Sequence, residues 1–174
     1  MELLIYVTLA SILGTPMVMI AVAVSRASAE GDMVSRILER NRVAIQRMTS
    51  ELRDSLPGTT VISNGGKCIQ FTSKGGFDGN GAVPGPVVRY EFRLAAGEVD
   101  NGKDDNGDGL IDEGTLVRLA GGLEAVITNT IRYSTSSFQA DGTGVEITVT
   151  TTGRARGAPV PSDISSVTAV FPKY

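Results

Sequence analysis

Apolar residues fill the start of the chain without interruption. Residues 3–24 contain no charged side chain, Glu2 precedes them, and Arg26 is the first basic residue after them. As an α-helix this run would be about 33 Å long, enough to cross the hydrocarbon core of a bilayer. Its acidic start and its length differ from those of a secretory signal peptide. Residues 1–25 are therefore predicted to form an apolar transmembrane or filament-core helix.

The helical pattern continues beyond this run as an amphipathic segment over residues 26–57. Apolar positions recur at helical spacing, and charged positions occupy the other faces. The apolar stripe consists of Val34, Ile37, Leu38, Ile45, Met48, Leu52 and Leu56. Pro57-Gly58 is a signal that ends a helix. The pattern predicts one long helix, half in lipid or a fibre core and half packed on a domain.

Gly14 and Pro16 lie inside the apolar half of this helix. Proline in a helix interior removes one hydrogen bond and clashes with the preceding turn. Lipid tolerates this only where other groups satisfy the freed backbone atoms. We therefore expect a local kink or a melted turn there, and a weaker point at Gly31.

Residues 58–174 are predicted to form a β-rich head domain, because the period of the pattern changes from 3.6 to 2. Apolar and polar residues alternate most clearly over residues 88–94 and 145–149. Gly- and Pro-rich stretches such as 75–86 and 97–114 separate the candidate strands. The shorter candidates are 60–63, 68–72, 115–119, 130–134 and 166–171, with 123–128 either a strand or a helical turn. The predicted fold class is α+β, a long N-terminal helix packed on an antiparallel sheet.

Composition narrows the chemistry that this chain can perform. Histidine is absent, and Cys68 is the single cysteine, so no intrachain disulfide forms. Cys68 precedes the apolar residues Ile69 and Phe71 and has no histidine to activate it, which predicts a strand residue rather than a nucleophile. We find no nucleophile–base pair and no phosphate loop, and we predict no enzyme. The net charge of −3 gives no footprint for nucleic-acid binding.

The most specific polar motif lies within residues 100–114 and has the pattern D-x-N-x-D-G-x-x-D. It resembles the calcium loops of EF-hand, dockerin and thrombospondin-type proteins. Alternate residues of such a loop direct oxygens to one centre, and Ca²⁺ takes six to eight hard oxygen ligands. The loop turns sharply at Gly109, its sixth position. The predicted ligands are Asp104, Asn106, Asp108, the carbonyl of Leu110, and Asp112.

The twelfth position of the loop is Thr115 rather than a glutamate. Glu113 is therefore predicted to supply the last carboxylate, with Asp100 as a weaker candidate. The alternative to a calcium site is an acidic, solvated turn. Carboxylates concentrated without a cation would repel one another, which favours structural Ca²⁺ that pins the loop between Leu94 and Leu116.

The start of the chain resembles the type IV pilin and type II secretion pseudopilin family. The resemblance is carried by Glu2-Leu3-Leu4-Ile5, the uncharged apolar run and the amphipathic helix that follows. In that family a glutamate opens the apolar helix, usually at the fifth mature position, and glycine and proline are frequent in it. The later part resembles the larger minor-pilin and pseudopilin branch, through residues 88–94, 116–119, 129–133 and 145–149.

This resemblance implies a pilin-like fold and a structural subunit of an extracellular type IV pilus-like filament. It implies assembly through Glu2, Gly14 and Pro16, with further copies of the chain as partners in a helical homopolymer. It also implies passage through the bacterial inner membrane, a prepilin peptidase and a pilus assembly machinery. Two alternatives stay open. The chain is a minor pilin or pseudopilin that primes assembly, or a membrane-anchored, calcium-stabilised adhesin that does not polymerise.

Overall fold

The computed structural model describes residues 2–79, 81–142, 144–154 and 161–170, with the backbone alone at 2–5 and 7–13. Within these residues one α-helix, α1, packs on an eight-stranded antiparallel sheet. The predicted α+β class, a helix laid on an antiparallel sheet, is therefore confirmed.

Helix α1 spans Glu2–Arg53 and ends earlier than predicted. The extension of the helix to residue 57 is wrong, because the chain leaves the helix to pair with the sheet. Ser55 forms a bridge with Ser73, and the Leu56 N–H donates to the Thr72 carbonyl at 2.8 Å. These bonds replace the ones that another helical turn would make.

The helix runs without a break through Gly14, Pro16 and Gly31. The predicted melted turn near Pro16 is therefore wrong for this state of the chain. Among the described residues nothing lies within 4 Å of a Cβ placed at Gly14 or Gly31, so neither glycine makes a close contact with that part of the chain.

The strands agree with most of the predicted ones in position. Cys68 is buried at the start of β2, as predicted, and its sulfur accepts a hydrogen bond from Arg89 Nε at 3.1 Å. A 3₁₀ turn, Asn64–Gly66, follows β1. The strands are β1 Val61–Ser63, β2 Cys68–Asp78, β3 Gly81–Leu94, β4 Glu113–Ala120, β5 Leu123–Arg132, β6 Ser137–Asp141, β7 Gly144–Gly153 and β8 Ser162–Val170.

Strands β1 to β5 pair in sequence order, and β7 pairs with β5, β6 and β8. Because β8 lies along 145–153 of β7, strands β5 and β6 share the opposite edge of β7. Helix α1 lies mainly across β7 and β8.

Three details of the sheet were predicted incorrectly. Residues 75–78 and 81–86, predicted to separate strands, instead belong to β2 and β3, which pair as far as Asp78 and Gly81. The two candidate segments at 123–128 and 130–134 are one strand, β5, with a register shift beside Thr130. Strand β6 was missing from the candidate strands, because its five residues leave only a short pattern in the sequence.

The helix buries one narrow face on the sheet, formed by Ile37, Asn41, Ala44, Met48 and Leu52. Leu38, which was predicted to belong to this face, is 49% exposed. Asn41 is buried in the interface instead, because β7 and β8 supply hydrogen-bond partners for its side chain. Its amide nitrogen donates to the Ile164 carbonyl at 3.2 Å, and its oxygen accepts from the Thr151 hydroxyl.

An ion pair fixes the end of the helix to the sheet. Arg118 on β4 donates to Glu51 at 2.8 Å. Tyr90 lies fully buried beside this pair. Burial raises the pKa of Tyr90 well above its usual range, and the nearby charge of Glu51 adds to the effect.

Candidate functional site

The polar loop connects β3 to β4 over residues 95–112 and is closed at its base by the sheet. The Ala95 N–H donates to the Glu113 carbonyl at 3.0 Å, and Leu94 pairs with Gly114. Gly114 has no room for a side chain, because a Cβ there would lie 2.1 Å from the Arg93 carbonyl oxygen. The glycine therefore lets the two strands close tightly where the loop begins and ends.

Asp104 organises the tip of the loop. Its Oδ1 accepts from the Gly107 N–H at 2.6 Å, and its Oδ2 accepts from the Gly109 N–H at 2.7 Å. The backbone at Gly109 is left-handed, with φ +89°, which glycine adopts without steric cost. The sharp turn predicted at Gly109 is thus present.

The next two predicted ligands hold the backbone in the same manner. Asn106 Oδ1 accepts from the Asp108 N–H, and Asp108 Oδ1 accepts from the Leu110 N–H, each at 2.9 Å. Short polar side chains that bond two residues ahead stabilise consecutive tight turns. In this structure the side-chain oxygens of Asp104, Asn106 and Asp108 thus accept backbone hydrogen bonds in a series of turns.

Asn106 also links the loop to two carboxylates beneath it. Its side-chain nitrogen donates to Glu113 Oε1 at 2.6 Å, and its backbone N–H donates to Glu98 Oε1 at 2.9 Å. The Asp105 N–H donates to the same Glu98 oxygen at 3.1 Å. Glu98 and Glu113 are buried, and the Oε2 atom of each has no hydrogen-bond partner among the described residues.

Burial is the main cause of a raised pKa at Glu113. The negative charges of Asp108 and Glu98 raise it further, whereas the hydrogen bond from Asn106 lowers it. The negative charge is therefore unfavourable at this position unless something balances it.

Asp112 has a different environment from the other predicted ligands. It is buried with a left-handed backbone, φ +46°, and its carboxylate accepts hydrogen bonds from the Asn101 and Gly102 N–H groups. In the part of the chain that the structure describes, no three acidic side chains lie close enough together to hold a metal ion. The side-chain atoms available to a metal ion are nonetheless carboxylate and amide oxygens, the hard ligands that Ca²⁺ prefers.

Glu98 is the residue of this site that the sequence analysis did not single out. It lies ahead of the motif, in Ala95-Ala96-Gly97-Glu98-Val99, directly after strand β3. An isolated acidic residue in a stretch of small and apolar residues was the only signal for it. Burial lowers the pKa of Lys67. The negative charge of nearby Asp100, the weaker candidate ligand, offsets part of this effect.

The second candidate site is the apolar half of α1. Its described side chains over 17–24 are exposed, with Met17 at 74% and Val24 at 62%. The side chain of Glu2 lies outside the described residues, so its predicted role in assembly stays a prediction. Within the described part of the chain, no helix is both long enough and apolar enough to cross a membrane.

The chain thus combines an exposed apolar helix surface with an acidic loop held by its own backbone. Comparisons with family models, with curated proteins and with solved structures found no match to this chain.

Proposed function

We propose that this chain is the structural subunit of an extracellular, type IV pilus-like filament. The first half of α1 packs into the core of the filament, and the sheet forms its surface. One observation carries the proposal. A single helix buries its face from Ile37 to Leu52 on the sheet, whereas its apolar side chains over 17–24 have no partner within the described chain.

The exposed apolar surface over residues 17–24 is expected to bind a partner that covers it. Contiguous apolar patches on soluble surfaces mark sites of association with protein or membrane. Burying such side chains contributes roughly 25 cal/mol per Å² of apolar area. Copies of the same helix offer matching surfaces, and the inner membrane covers them before assembly.

Glu2 at the start of the apolar run, and Gly14 and Pro16 within it, suit this exchange between lipid and fibre. A carboxylate beside an apolar helix is costly unless it is paired, and Glu2 would find a partner in the N-terminal ammonium of a neighbouring copy. Gly14 and Pro16 are the positions where the helix is expected to change shape as it leaves the lipid. A prepilin peptidase and a pilus assembly machinery are the further partners of this proposal.

The loop between β3 and β4 is proposed to bind a structural Ca²⁺ ion. Its proposed ligands are Asp104, Asn106, Asp108, the Leu110 carbonyl, Asp112 and Glu113. Support comes from the density of hard oxygen atoms and from buried carboxylate oxygens that accept no hydrogen bond from the described residues. When bound, the ion neutralises the carboxylates and ties together a loop with few apolar contacts of its own.

Electron microscopy of material sheared from the cell surface tests the filament proposal. Fibres are expected, with this chain as their bulk component by mass spectrometry. Glu2→Ala is expected to abolish or strongly reduce them, whereas the control Glu30→Ala, an exposed carboxylate on the same helix, retains them.

Two results would contradict the proposal, each in favour of one alternative. The chain present only in trace amounts within fibres of another protein would indicate a minor pilin or pseudopilin. A monodisperse monomer in detergent, with no fibres, would indicate a membrane-anchored adhesin.

A further inference from the structure

Two buried carboxylates share one residue of the loop, and each keeps one oxygen free. Glu98 is 7% exposed and Glu113 is 4% exposed. Asn106 bonds to Oε1 of both, through its backbone to Glu98 and through its side chain to Glu113. The Oε2 atoms of both glutamates are buried and accept no hydrogen bond from the described residues.

This arrangement is costly without a counter-charge. A buried carboxylate requires partners for its oxygens, and two carboxylates held on one residue repel each other. Among the described residues no Lys or Arg forms an ion pair with Glu98 or Glu113. A hard divalent cation would meet both requirements, because it binds carboxylate oxygens directly and cancels their charge.

We infer that Glu98, together with Glu113, binds the calcium ion of the loop through its free Oε2 atom. The inference rests on the proposed calcium binding by this loop and adds a ligand that precedes the sequence motif. The ion is then held between the motif and the base of the loop, where β3 ends and β4 begins.

Glu98 has a second contact with the motif that strengthens this assignment. Its Oε1 accepts from the N–H groups of Asp105 and Asn106, so the side chain is held against the motif before any ion arrives. Ligands held in position by hydrogen bonds lose less freedom when they bind an ion. Glu98 therefore both positions the loop and offers an oxygen to the ion.

Calcium titration by calorimetry tests the inference on the full chain in detergent micelles, after removal of bound metal with a chelator. Glu98→Gln and Glu113→Gln are each expected to weaken calcium binding by about tenfold or more. Asp105→Asn is the matched control, because Asp105 lies in the same loop and its exposed carboxylate accepts, within the described part of the chain, from Asn101 alone. The control is expected to stay within about threefold of the unmodified chain.

The outcomes separate this inference from the proposal on which it rests. If the unmodified chain binds no calcium, the calcium loop itself fails. If the chain binds calcium and Glu98→Gln matches Asp105→Asn, the loop stands and the role of Glu98 is overturned. Circular dichroism checks folding. If Glu98→Gln does not fold, Glu98→Asp, which keeps the charge on a shorter arm, must weaken binding, and unchanged affinity in that variant would overturn the inference.

Discussion

Glu113 has two roles, because its backbone closes the base of the loop and its carboxylate is buried below it. It is the first residue of β4, its carbonyl closes the base of the loop, and its carboxylate lies buried beneath Asn106. As the first residue of the strand, Glu113 is held with its side chain buried under the loop. The raised pKa of Glu113 follows from this confinement, through burial first and the charges of Asp108 and Glu98 second.

Without calcium, stability is predicted to depend on the ionisation of Glu113. Because its pKa is raised in the folded state, the folded protein binds more protons than the unfolded chain, which stabilises it at low pH. This contribution is complete below the ordinary pKa of a glutamate and is lost as the pH rises through the raised value. Urea unfolding in chelator at a series of pH values measures it.

Glu113→Gln is expected to flatten this part of the pH dependence, whereas Glu39→Gln, at an exposed position on α1, should leave it unchanged. Equal pH profiles for the unmodified chain and Glu113→Gln would show that Glu113 does not carry the effect.

Lys67 joins three elements that lie apart in the sequence. It follows the 3₁₀ turn Asn64–Gly66, and its ammonium donates to the carbonyls of Tyr133, Ser134 and Ser136, between β5 and β6. The same ammonium lies 4.6 Å from the centre of the Tyr133 ring. One cation therefore binds three carbonyls of the turn between β5 and β6, and it connects this turn to the start of β2.

Replacing Lys67 by methionine is predicted to destabilise the protein by about 2 kcal/mol, because hydrogen bonds to a charged group are lost and their carbonyl acceptors stay partly buried. Chemical unfolding monitored by circular dichroism gives the difference. Lys74→Met on β2 is the control, since the Lys74 ammonium has no hydrogen bond among the described residues. A loss for Lys67→Met no larger than that for the control would contradict the assigned role.

The molecule as a whole consists of an apolar core, shared by the helix and the sheet, and a polar loop outside that core. The C-terminal half of α1 and the sheet share one core, which includes Met48, Leu52, Tyr90 and Phe92. The loop over 95–112 contributes little to this core and consists mostly of exposed polar residues. Removal of an ion should therefore affect the loop much more than the helix and the sheet.

Chelation of calcium is predicted to disorder the loop between Leu94 and Leu116 while the helix stays packed on the sheet. Limited proteolysis with and without chelator, read by mass spectrometry, locates the new cleavage sites. We expect them within 95–112, together with a lower midpoint of thermal unfolding. Unchanged cleavage and thermal stability in chelator would count against a structural ion.

Local spacing determined much of this protein before any contact was known. The long helix, the alternating strands at 88–94 and 145–149 and the turn at Gly109 all depend on residues within a few positions of each other. Backbone geometry relates such neighbours directly, so the sequence alone was enough to predict them. It also indicated a polar loop with alternating acceptors.

Only the tertiary structure decided the features that join distant segments. Asn41 is buried because Thr151 and Ile164 come to it from β7 and β8, and the helix ends at Arg53 because Ser55 pairs with Ser73. Glu98 meets Glu113 because β3 and β4 pair at the base of the loop. The burial of a polar group depends on which hydrogen-bond partners the fold brings to it. The spacing of residues along the chain cannot predict partners that are distant in sequence.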